Sequence, residues 1–452
     1  MFDRVLVANR GEIAVRVIRA LHDLGIEAVA VYSTADRESL HVEIADRAVC
    51  IGPPPAAESY LRIANIVAAA ETTGCDAVHP GYGFLAENAE FARACEDSNV
   101  VFIGPPADIV ERLGDKPRAK EAMRSAGVPL VPGSDGATGL ADLRRAAAEA
   151  GFPVLLKAAG GGGGKGMRVV AREDELEDAY GAASAEADAA FGDGSIYVEK
   201  LVSPARHVEI QVLCDASGGV LTLGERECSI QRRHQKLVEE SPSAALDPAR
   251  REAMEATVER ACSAIGYRNA GTFEFLVGPD GDFYFIEVNC RLQVEHPVSE
   301  LVTGIDIVRE QIRIAAGEQL RLTGRAPRRG HAVEIRINAE DPARGFLPAP
   351  GTVTRFVPPL GPGVRVDTAI RSGSEIPPYY DSMIAKVIVW DETREAAVTR
   401  AARALRELEV EGIPTTRELA LDVLDSPEFR RGEYSTSTLA ELQGRVPSLM
   451  PA

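Results

Sequence analysis

The sequence predicts an α/β protein in which an N-terminal, doubly wound parallel sheet precedes a small α+β lid and an antiparallel sheet. Three observations support this fold class. In roughly the first 110 residues, short apolar runs alternate with amphipathic segments, as in repeated βαβ units. A compact unit between Pro153 and Leu201 surrounds a run of glycines. From His207 onward the apolar runs are longer and are joined by hairpin signals such as Gly278-Pro-Asp-Gly, which favour antiparallel strands.

The N-terminal domain, residues 1–114, is predicted from its alternating elements. Strands are expected at residues 5–8, 28–32, 77–79 and 100–104, and helices at 13–24 and near 60–71. The turn after the first strand, Asn9-Arg10-Gly11-Glu12, lacks the G-x-G-x-x-G spacing. Because that spacing lets the backbone approach a pyrophosphate closely, its absence argues against a standard dinucleotide site.

Two further regions are expected because 452 residues are too many for one ordinary core. Residues 115–201 form a linker and a lid, in which strands at Val154–Ala158, Met167–Val170 and Ile196–Lys200 enclose the glycine run. Residues 202–446 carry the antiparallel sheet and a C-terminal domain. The lid is small enough to move as a unit.

Composition and charge limit the functions open to the chain. Of its residues, 45% are hydrophobic and 26% are charged, and the formal charge is −18. Such an acidic balance argues against nucleic-acid and membrane partners, so an anion site must be built from a local cluster of Lys and Arg. No apolar run approaches the roughly 20 residues that span a bilayer. The seven cysteines form no C-x-x-C pair and are expected to be reduced thiols, which favours the cytoplasm.

A run of five glycines, residues 160–164, is followed by Lys165 and lies between two predicted strands. Glycine lets backbone N–H groups approach an anion closely, and Lys157 and Lys165 add positive charge. A Walker A loop would place Gly-Lys-Ser/Thr at the start of a helix, whereas here Gly-Lys-Gly precedes a strand. We therefore expect a flap over nucleotide phosphates rather than a flexible linker, which would mix Ser with Gly.

Two glutamates are predicted on one face of a β-hairpin. If the hairpin closes at residues 278–281, Glu274 pairs with Phe285. Thr272 then pairs with Glu287, which places the two carboxylates diagonally on one face. Neighbouring carboxylates need a cation, and oxygen ligands suit Mg²⁺ or Mn²⁺ rather than Zn²⁺. The predicted metal ligands are Glu274, Glu287 and Asn289.

Polar side chains also recur on alternate positions of other predicted strands and on a loop between them. The three sets are His207, Glu209 and Gln211; Gln231, His234 and Lys236; and Glu334, Arg336 and Asn338. Residues 286–297 hold the densest mixture, with two carboxylates, two amides, an arginine and a histidine. Each set alone is weak evidence, but together they supply charge compensation for a phosphate and a second small anion.

With these motifs in place, the chain resembles the biotin carboxylase subunit or domain of biotin-dependent carboxylases, members of the ATP-grasp superfamily. The likeness extends over essentially the whole chain, through residues 5–14, 79–88, the glycine loop, 206–211, 231–236, 287–297 and 336–341. The run Glu-Val-Asn-Cys-Arg-Leu-Gln-Val-Glu-His-Pro is the most specific of these motifs. The resemblance implies ATP-dependent carboxylation of biotin with bicarbonate.

The resemblance also implies roles for individual residues. Those matching nucleotide contacts are Lys116, Lys157, Gly162, Gly163, Gly164, Glu199, Lys200, Leu201, His207, Gln231, His234 and Leu276. Those matching the bicarbonate and biotin sites are Arg291, Gln293, Val294, Glu295 and Arg336. Among them, Glu295 matches the base that deprotonates bicarbonate, Arg336 matches the group that stabilises the biotin enolate, and Lys236 matches a lysine that bridges phosphate and bicarbonate.

Partners follow from the resemblance and from what the sequence lacks. No lysine is flanked by methionines as in a biotin attachment site, so biotin is expected on a separate carrier protein. A homodimer and a carboxyltransferase partner are implied in the same way, within an acetyl- or acyl-CoA carboxylase of fatty acid biosynthesis. The alternatives are the ATP-binding subunit of a pyruvate carboxylase, another ATP-grasp carboxylate–amine ligase, and a non-catalytic nucleotide-binding protein.

Overall fold

The computed structural model describes residues 1–134, 139–159, 167–442, 445–446 and 448. The predicted phosphate contacts Gly162, Gly163 and Gly164 lie outside the described residues, as does the rest of the glycine run. Among the helices in the described ranges, none has the length and apolar character needed to cross a membrane.

The N-terminal region is a parallel sheet with helices, as predicted. Its elements are β1 (Arg4–Val7), α1 (Gly11–Asp23), β2 (Glu27–Ser33), α2 (Leu40–Ile44), β3 (Arg47–Gly52), α3 (Ile63–Thr73), β4 (Ala77–His79), α4 (Ala89–Asp97), β5 (Val101–Phe102) and α5 (Ala107–Gly114). The strand order is β3-β2-β1-β4-β5, the doubly wound order in which the chain leaves the first strand toward each edge in turn.

The lid forms a separate small sheet. After the linker helix α6 (Lys116–Ser125), its elements are α7 (Leu140–Ala150), β6 (Val154–Ala158), β7 (Met167–Val170), α8 (Leu176–Phe191) and β8 (Ile196–Lys200), with strand order β7-β6-β8. Leu143, Leu156 and Val198 belong to a buried cluster made only of residues from this unit. A unit with its own core can move without disrupting the core of its neighbour.

The third region is dominated by one long antiparallel sheet. Its first elements are β9 (Arg206–Cys214), β10 (Val220–Arg232), β11 (Gln235–Ser241), α9 (Pro248–Ile265), β12 (Asn269–Val277), β13 (Phe283–Asn289), α10 (His296–Thr303), α11 (Ile307–Ala315), β14 (Gly324–Arg325) and β15 (His331–Asn338). They are followed by β16 (Glu340–Asp341), β17 (Leu347–Pro348), β18 (Gly351–Thr352), β19 (Arg355–Val357), β20 (Val364–Thr368), β21 (Glu375–Ile376), β22 (Met383–Asp391), α12 (Arg394–Glu407), β23 (Glu409–Glu411), α13 (Arg417–Asp425), α14 (Pro427–Arg431) and α15 (Thr438–Glu441).

The long sheet brings distant parts of the sequence together. Its strand order is β13-β12-β9-β10-β11-β15-β22-β20, with β14 added beside β10. One face of its first strands packs on α5 and α6 through a cluster that includes Val110, Met123 and Phe273. The parallel sheet packs elsewhere through a cluster that joins Val5 to Leu213 and Leu292. These two contacts place the start of α6 and the N-terminal region next to the strands of the long sheet that carry the predicted site residues.

Candidate active site

The two predicted metal carboxylates lie directly opposite each other on the β12–β13 hairpin. Glu274 is paired with Glu287, and Thr272 is paired with Asn289. The expected pairing of Glu274 with Phe285 is therefore wrong, and the carboxylates are closer neighbours than the diagonal arrangement would make them. Glu274 is buried, whereas Glu287 is exposed on the edge strand.

The register differs from the expected one for two reasons. The hairpin closes one residue later than expected, because the Gly278 N–H bonds to the Asp282 carbonyl oxygen at 2.8 Å. Further along, Phe275 pairs with Phe285 before the register shifts at Glu274, which leaves Ile286 outside the pairing. A β-bulge of this kind inserts one residue into one strand and re-aims the side chains beyond it. Local turn signals do not reveal such an insertion.

Glu274 is surrounded by donors. Its Oε2 lies 2.7 Å from His207 Nε2, and its Oε1 accepts hydrogen bonds from Asn289 Nδ2 at 2.8 Å and Gln293 Nε2 at 2.9 Å. Lys236 Nζ lies 3.2 Å from the same Oε1. Burial alone would raise the pKa of Glu274, but the charges of Lys236 and His207 hold that pKa far below its usual value. The carboxylate is therefore ionised.

Lys236 joins three carboxylates. Its Nζ lies 2.6 Å from Glu209 Oε2 and 2.5 Å from Glu295 Oε1, in addition to the contact with Glu274. The lysine side chain is one-tenth exposed, and those of Glu209 and Glu295 are fully buried. Such a compact ammonium among carboxylates is the centre of a buried ion network, which we call the catalytic network.

Arg336 occupies the other side of Glu295. Its Nη2 lies 2.9 Å from Glu295 Oε2, and its Nε donates a hydrogen bond of 2.6 Å to Glu239 Oε1. Burial would raise the pKa of Glu295, but Lys236 and Arg336 together lower it well below its usual value. Glu295 is thus an ionised carboxylate held between two cations, while Glu239 is a member of the network that the sequence did not single out.

Arg226 is a second member that the sequence analysis missed. It is fully buried, and its guanidinium donates to Glu209 Oε1 at 2.5 Å, Gln211 Oε1 at 2.6 Å and Thr272 Oγ1 at 3.0 Å. Arg226 lies opposite Glu209 in the β9–β10 register. No local signal distinguished it, because Arg226 lies between Glu225 and Glu227 in a strand that mixes polar and apolar residues. Only the folded sheet shows which carboxylate it meets.

The predicted bicarbonate residues are held partly by the N-terminal region. Arg291 Nε lies 2.7 Å from Glu87 Oε2, and the Cys290 N–H donates to Glu87 Oε1 at 2.9 Å. Arg291 also donates to Gln293 Oε1 at 2.9 Å and Asn289 Oδ1 at 3.0 Å. Glu87 therefore fixes the segment that carries Arg291 and Gln293. It belongs to a motif used for the resemblance, but no role was predicted for it.

Val294, the next predicted bicarbonate residue, is anchored from a different strand. Lys386 Nζ donates a hydrogen bond of 2.9 Å to the Val294 carbonyl oxygen and lies 3.1 Å from Glu12 Oε1. Lys386 is fully buried and is paired with Arg336 in the β15–β22 register. The Val294 carbonyl oxygen therefore already accepts a hydrogen bond from within the protein.

The predicted nucleotide contacts lie on the lid, on α6 and along β9 to β12. Lys157 Nζ is 2.5 Å from Glu199 Oε2 on the lid sheet. His207 is paired with Leu276 in the β9–β12 register, and its Nδ1 is 3.3 Å from Gln231 Nε2.

Four further predicted contacts lie in more open positions. Lys116 is exposed at the first residue of α6, and its charge acts on Glu287. His234 is exposed in the β10–β11 turn with φ of 67°. Lys200 is exposed at the end of β8, with Leu201 next to it. Within the described residues, no hydrogen bond or ion pair joins the side chains of Lys200, Leu201 or His234 to the catalytic network.

Comparisons with known proteins agree along the whole chain. Three family models match: "Biotin carboxylase, N-terminal domain" at residues 1–110, "Carbamoyl-phosphate synthase L chain, ATP binding domain" at 115–323, and "Biotin carboxylase C-terminal domain" at 334–441. The biotin carboxylase of Pseudomonas aeruginosa is 54% identical over 451 residues, covering 98% of this chain and 99% of that protein.

Two solved structures extend the comparison to three dimensions. The biotin carboxylase domain dimer of Hydrogenobacter thermophilus 2-oxoglutarate carboxylase, in complex with MgADP, ADP and bicarbonate, has a TM-score of 0.91 to this structure. The biotin carboxylase subunit of a pyruvate carboxylase has a TM-score of 0.87. Each is 50% identical to this chain, and each alignment covers 98% of both chains.

The separate lid, the opposed carboxylates and the matched ATP-binding domain define an ATP-dependent ligase of the ATP-grasp class. Within that class the chain belongs to the biotin carboxylase family, because both flanking domain models and a relative of 54% identity agree over nearly its full length. The fold class, the family and the enzyme class predicted from the sequence are confirmed.

Proposed function

We propose that the chain uses ATP and bicarbonate to carboxylate biotin carried on a separate protein. The observation that supports this function best is the position of Glu295, an ionised and fully buried carboxylate between Lys236 and Arg336. The two cations keep this carboxylate free of a proton, and its pKa rises when Lys236 turns toward the substrates, so that it can then accept a proton from a bound anion. The bicarbonate bound by the Hydrogenobacter relative supports the same assignment.

The residues of the hairpin fit a divalent cation. Glu274 and Glu287 face each other across two strands, and with Asn289 they offer only oxygen ligands of the type that Mg²⁺ and Mn²⁺ prefer. When bound there, the cation would neutralise charge on the ATP phosphates. The remaining phosphate charge is neutralised by Lys116, Lys157 and the backbone N–H groups of the glycine run.

We assign the first chemical step to Glu295. Arg291, Gln293 and the backbone at Val294 hold bicarbonate, and Glu295 removes its proton so that an oxygen can attack the γ-phosphoryl group of ATP. The products are ADP and carboxyphosphate. Lys236 bridges the developing phosphate charge and the bicarbonate, so its present contacts with Glu209 and Glu295 must weaken as substrates enter.

The second step belongs to Arg336. Carboxyphosphate breaks into CO₂ and phosphate, and the phosphate removes the proton of the biotin ureido nitrogen. The resulting enolate oxygen carries negative charge, which a fixed guanidinium stabilises. Glu239 and Glu295 hold Arg336 from two sides, so the charge is oriented before biotin arrives. The nitrogen then attacks CO₂ to give carboxybiotin.

The partners in the proposal are a biotin carrier protein and a carboxyltransferase, since carboxybiotin is an intermediate. The two solved relatives belong to enzymes with different final acceptors, pyruvate and 2-oxoglutarate. We propose that this chain serves an acyl-CoA carboxylase, and a pyruvate carboxylase is the second candidate. A homodimer is supported by the dimeric Hydrogenobacter domain.

The proposal keeps two other expectations from the sequence. The division at residue 114 is supported by the family models, one of which ends at residue 110 while the next begins at 115. The end of the lid at residue 201 is supported by the lid's own core. The cytoplasmic location is supported by seven cysteines without disulfides, six of them buried.

The test is ADP release by the purified chain with Mg²⁺-ATP and bicarbonate, with and without free biotin. We expect ADP release to rise with biotin and to fall to background when bicarbonate is removed. Turnover that is indifferent to both would contradict the proposal and favour another ATP-grasp carboxylate–amine ligase.

A further inference from the structure

Lysine is rare in this chain, and its positions are not random. Seven of the 50 lysine and arginine residues are lysines: Lys116, Lys120, Lys157, Lys165, Lys200, Lys236 and Lys386. Arginine supplies the other surface and structural cations. An ammonium is a compact point charge and is not interchangeable with a guanidinium, so the positions that keep lysine are candidates for chemistry.

Six of the seven lysines already have a place at the proposed site. Four are matched to substrate contacts, Lys165 follows the glycine run, and Lys386 anchors the Val294 carbonyl. The remaining one is Lys120, on α6, to which the resemblance assigns no role. Its role must be inferred from its contacts with neighbouring residues.

Lys120 and Lys157 share one carboxylate. Lys120 Nζ lies 2.5 Å from Glu199 Oε1, and Lys157 Nζ lies 2.5 Å from Glu199 Oε2. The Glu199 side chain is 7% exposed, whereas those of Lys120 and Lys157 are 32% and 25% exposed. Two cations on one carboxylate leave an excess positive charge at the mouth of the nucleotide site.

The three groups come from different elements. Glu199 is on β8 and Lys157 on the neighbouring β6, where Lys157 is paired with Tyr197. Lys120 comes from α6, and its Nζ also lies 4.8 Å from the centre of the Tyr197 ring. A cation at this distance is attracted by the face of the ring. Lys120 thus fixes the lid sheet to α6 through two residues of β8.

The arrangement has a consequence when nucleotide binds. Lys157 can reach phosphate oxygens only if it weakens its hold on Glu199. A nearly buried carboxylate left without a cation is costly, because its desolvation is no longer compensated. Lys120 remains in contact with Glu199 and removes that penalty.

We propose that Lys120 is a positioning residue for binding of the nucleoside triphosphate. Lys120 keeps Glu199 neutralised while Lys157 moves onto the phosphates. This inference rests on the proposed function in taking ATP as the nucleotide. It assigns Lys120 no contact with the substrate. Its effect is expected in nucleotide affinity and not in the chemical steps at Glu295 and Arg336.

The test is Lys120→Met, with Lys120→Arg as the conservative variant. We expect Lys120→Met to raise the KM for MgATP about fivefold to tenfold, the order expected for the net contribution of one ordinary hydrogen bond, since the Lys120 side chain is 32% exposed. We expect kcat to change less than about twofold. Lys120→Arg keeps the charge that neutralises Glu199 but not the compact shape of the ammonium, so its KM should rise less than that of Lys120→Met, to within about threefold of the wild-type value. Arg124→Met, which removes a cation paired with Glu121 on the exposed face of the same helix, is the matched control and should leave the KM unchanged.

A double variant tests whether Lys120 acts through Glu199. If it does, Lys120→Met added to Glu199→Gln raises the KM no further than Glu199→Gln alone, since coupled residues are not additive. The inference is overturned if the two effects simply add, if the KM of Lys120→Met equals that of the wild type, or if kcat falls while the KM for MgATP does not change.

Calorimetry separates this inference from the proposed function. MgADP titrated into the wild type and Lys120→Met reports nucleotide affinity without any turnover. A wild type that binds MgADP but shows no biotin-dependent ADP release would contradict the proposed function alone. An unchanged affinity for MgADP in Lys120→Met would contradict the role of Lys120 alone.

Discussion

The catalytic network differs in burial from the region that we call the nucleotide edge, which consists of Lys116, Glu287 and Glu199 with its two lysines. In the network, Glu209, Lys236 and Glu295 are buried and already paired at 2.5–2.6 Å. At the nucleotide edge, Lys116 and Glu287 are exposed, and the lysines on Glu199 are partly exposed. Fixed charges act strongly on a transition state because they need no reorganisation, while exposed charges bind through modest and screened contacts. Substitutions should therefore have large effects in the network and graded effects at the edge.

The largest effect is expected from Glu295→Gln, which keeps the shape of the side chain but removes the proton acceptor. We expect kcat for bicarbonate-dependent ATP cleavage to fall about 10³-fold, within the range for loss of a general base. The KM for MgATP should change little, and steady-state ADP release measures both. A loss of tenfold or less would remove Glu295 from its assigned role and with it the contrast between the two regions.

Arg336→Ala comes next. Loss of an oriented cation at a developing oxyanion is expected to reduce biotin carboxylation about 10²-fold. Nucleotide binding should be retained, because Arg336 contacts Glu239 and Glu295 and not the nucleotide edge. Carboxybiotin formation measures the carboxylation rate, and MgADP calorimetry measures the nucleotide affinity. An equal loss in both would contradict the assignment. Arg336→Lys is the matched variant that keeps the charge.

Glu287→Gln probes the nucleotide edge, where the expected effect is smaller. Removing one of two opposed carboxylates should raise the Mg²⁺ concentration for half-maximal activity about tenfold, the order seen when a metal site loses one supporting group. Activity at saturating Mg²⁺ should largely return. A variant with wild-type Mg²⁺ dependence would show that the opposed pair on the hairpin does not hold the cation.

The smallest effect is a pH dependence inside the network. Burial raises the pKa of Glu239 to about 7, although Arg336 opposes the shift. Below that pH Glu239 is neutral, and above it the ionised form holds Arg336 more firmly. Biotin-dependent kcat should therefore rise about threefold between pH 6.5 and 7.5 as the ionised fraction increases. Glu239→Gln should flatten this limb of the pH profile, and a limb unchanged in Glu239→Gln would have another origin.

Sequence reasoning succeeded where a pattern is local. The strands at Val154–Ala158, Met167–Val170 and Ile196–Lys200 coincide with those observed. Alternation along β9 also placed His207 and Glu209 on one polar face, and the structure joins them through Lys236 and Glu274. Period-2 patterns depend only on neighbouring residues, so they survive folding.

The errors and omissions concern long-range geometry. The bulge at Ile286 depends on how two strands close, and no local signal reports it. Glu87 reaches Arg291 from a part of the chain about 200 residues earlier, a separation over which a single sequence carries no pairing information. Arg226 and Lys120 required knowledge of which strand or helix lies opposite. Gly162, Gly163 and Gly164 remain predictions.

The positions of the lysines mean that the nucleotide edge can be labelled selectively by an amine-reactive reagent. Among the described lysines, Lys236 and Lys386 are buried, so the amines open to solvent are those of Lys116, Lys120, Lys157 and Lys200. All four lie on α6 or on the lid sheet. An amine-reactive reagent would therefore find few targets on the rest of the described surface, and bound nucleotide would shield Lys116, Lys157 and Lys200, which are the proposed nucleotide contacts among the four. Labelling followed by peptide mass mapping would then read occupancy of the site directly, without any assay of turnover.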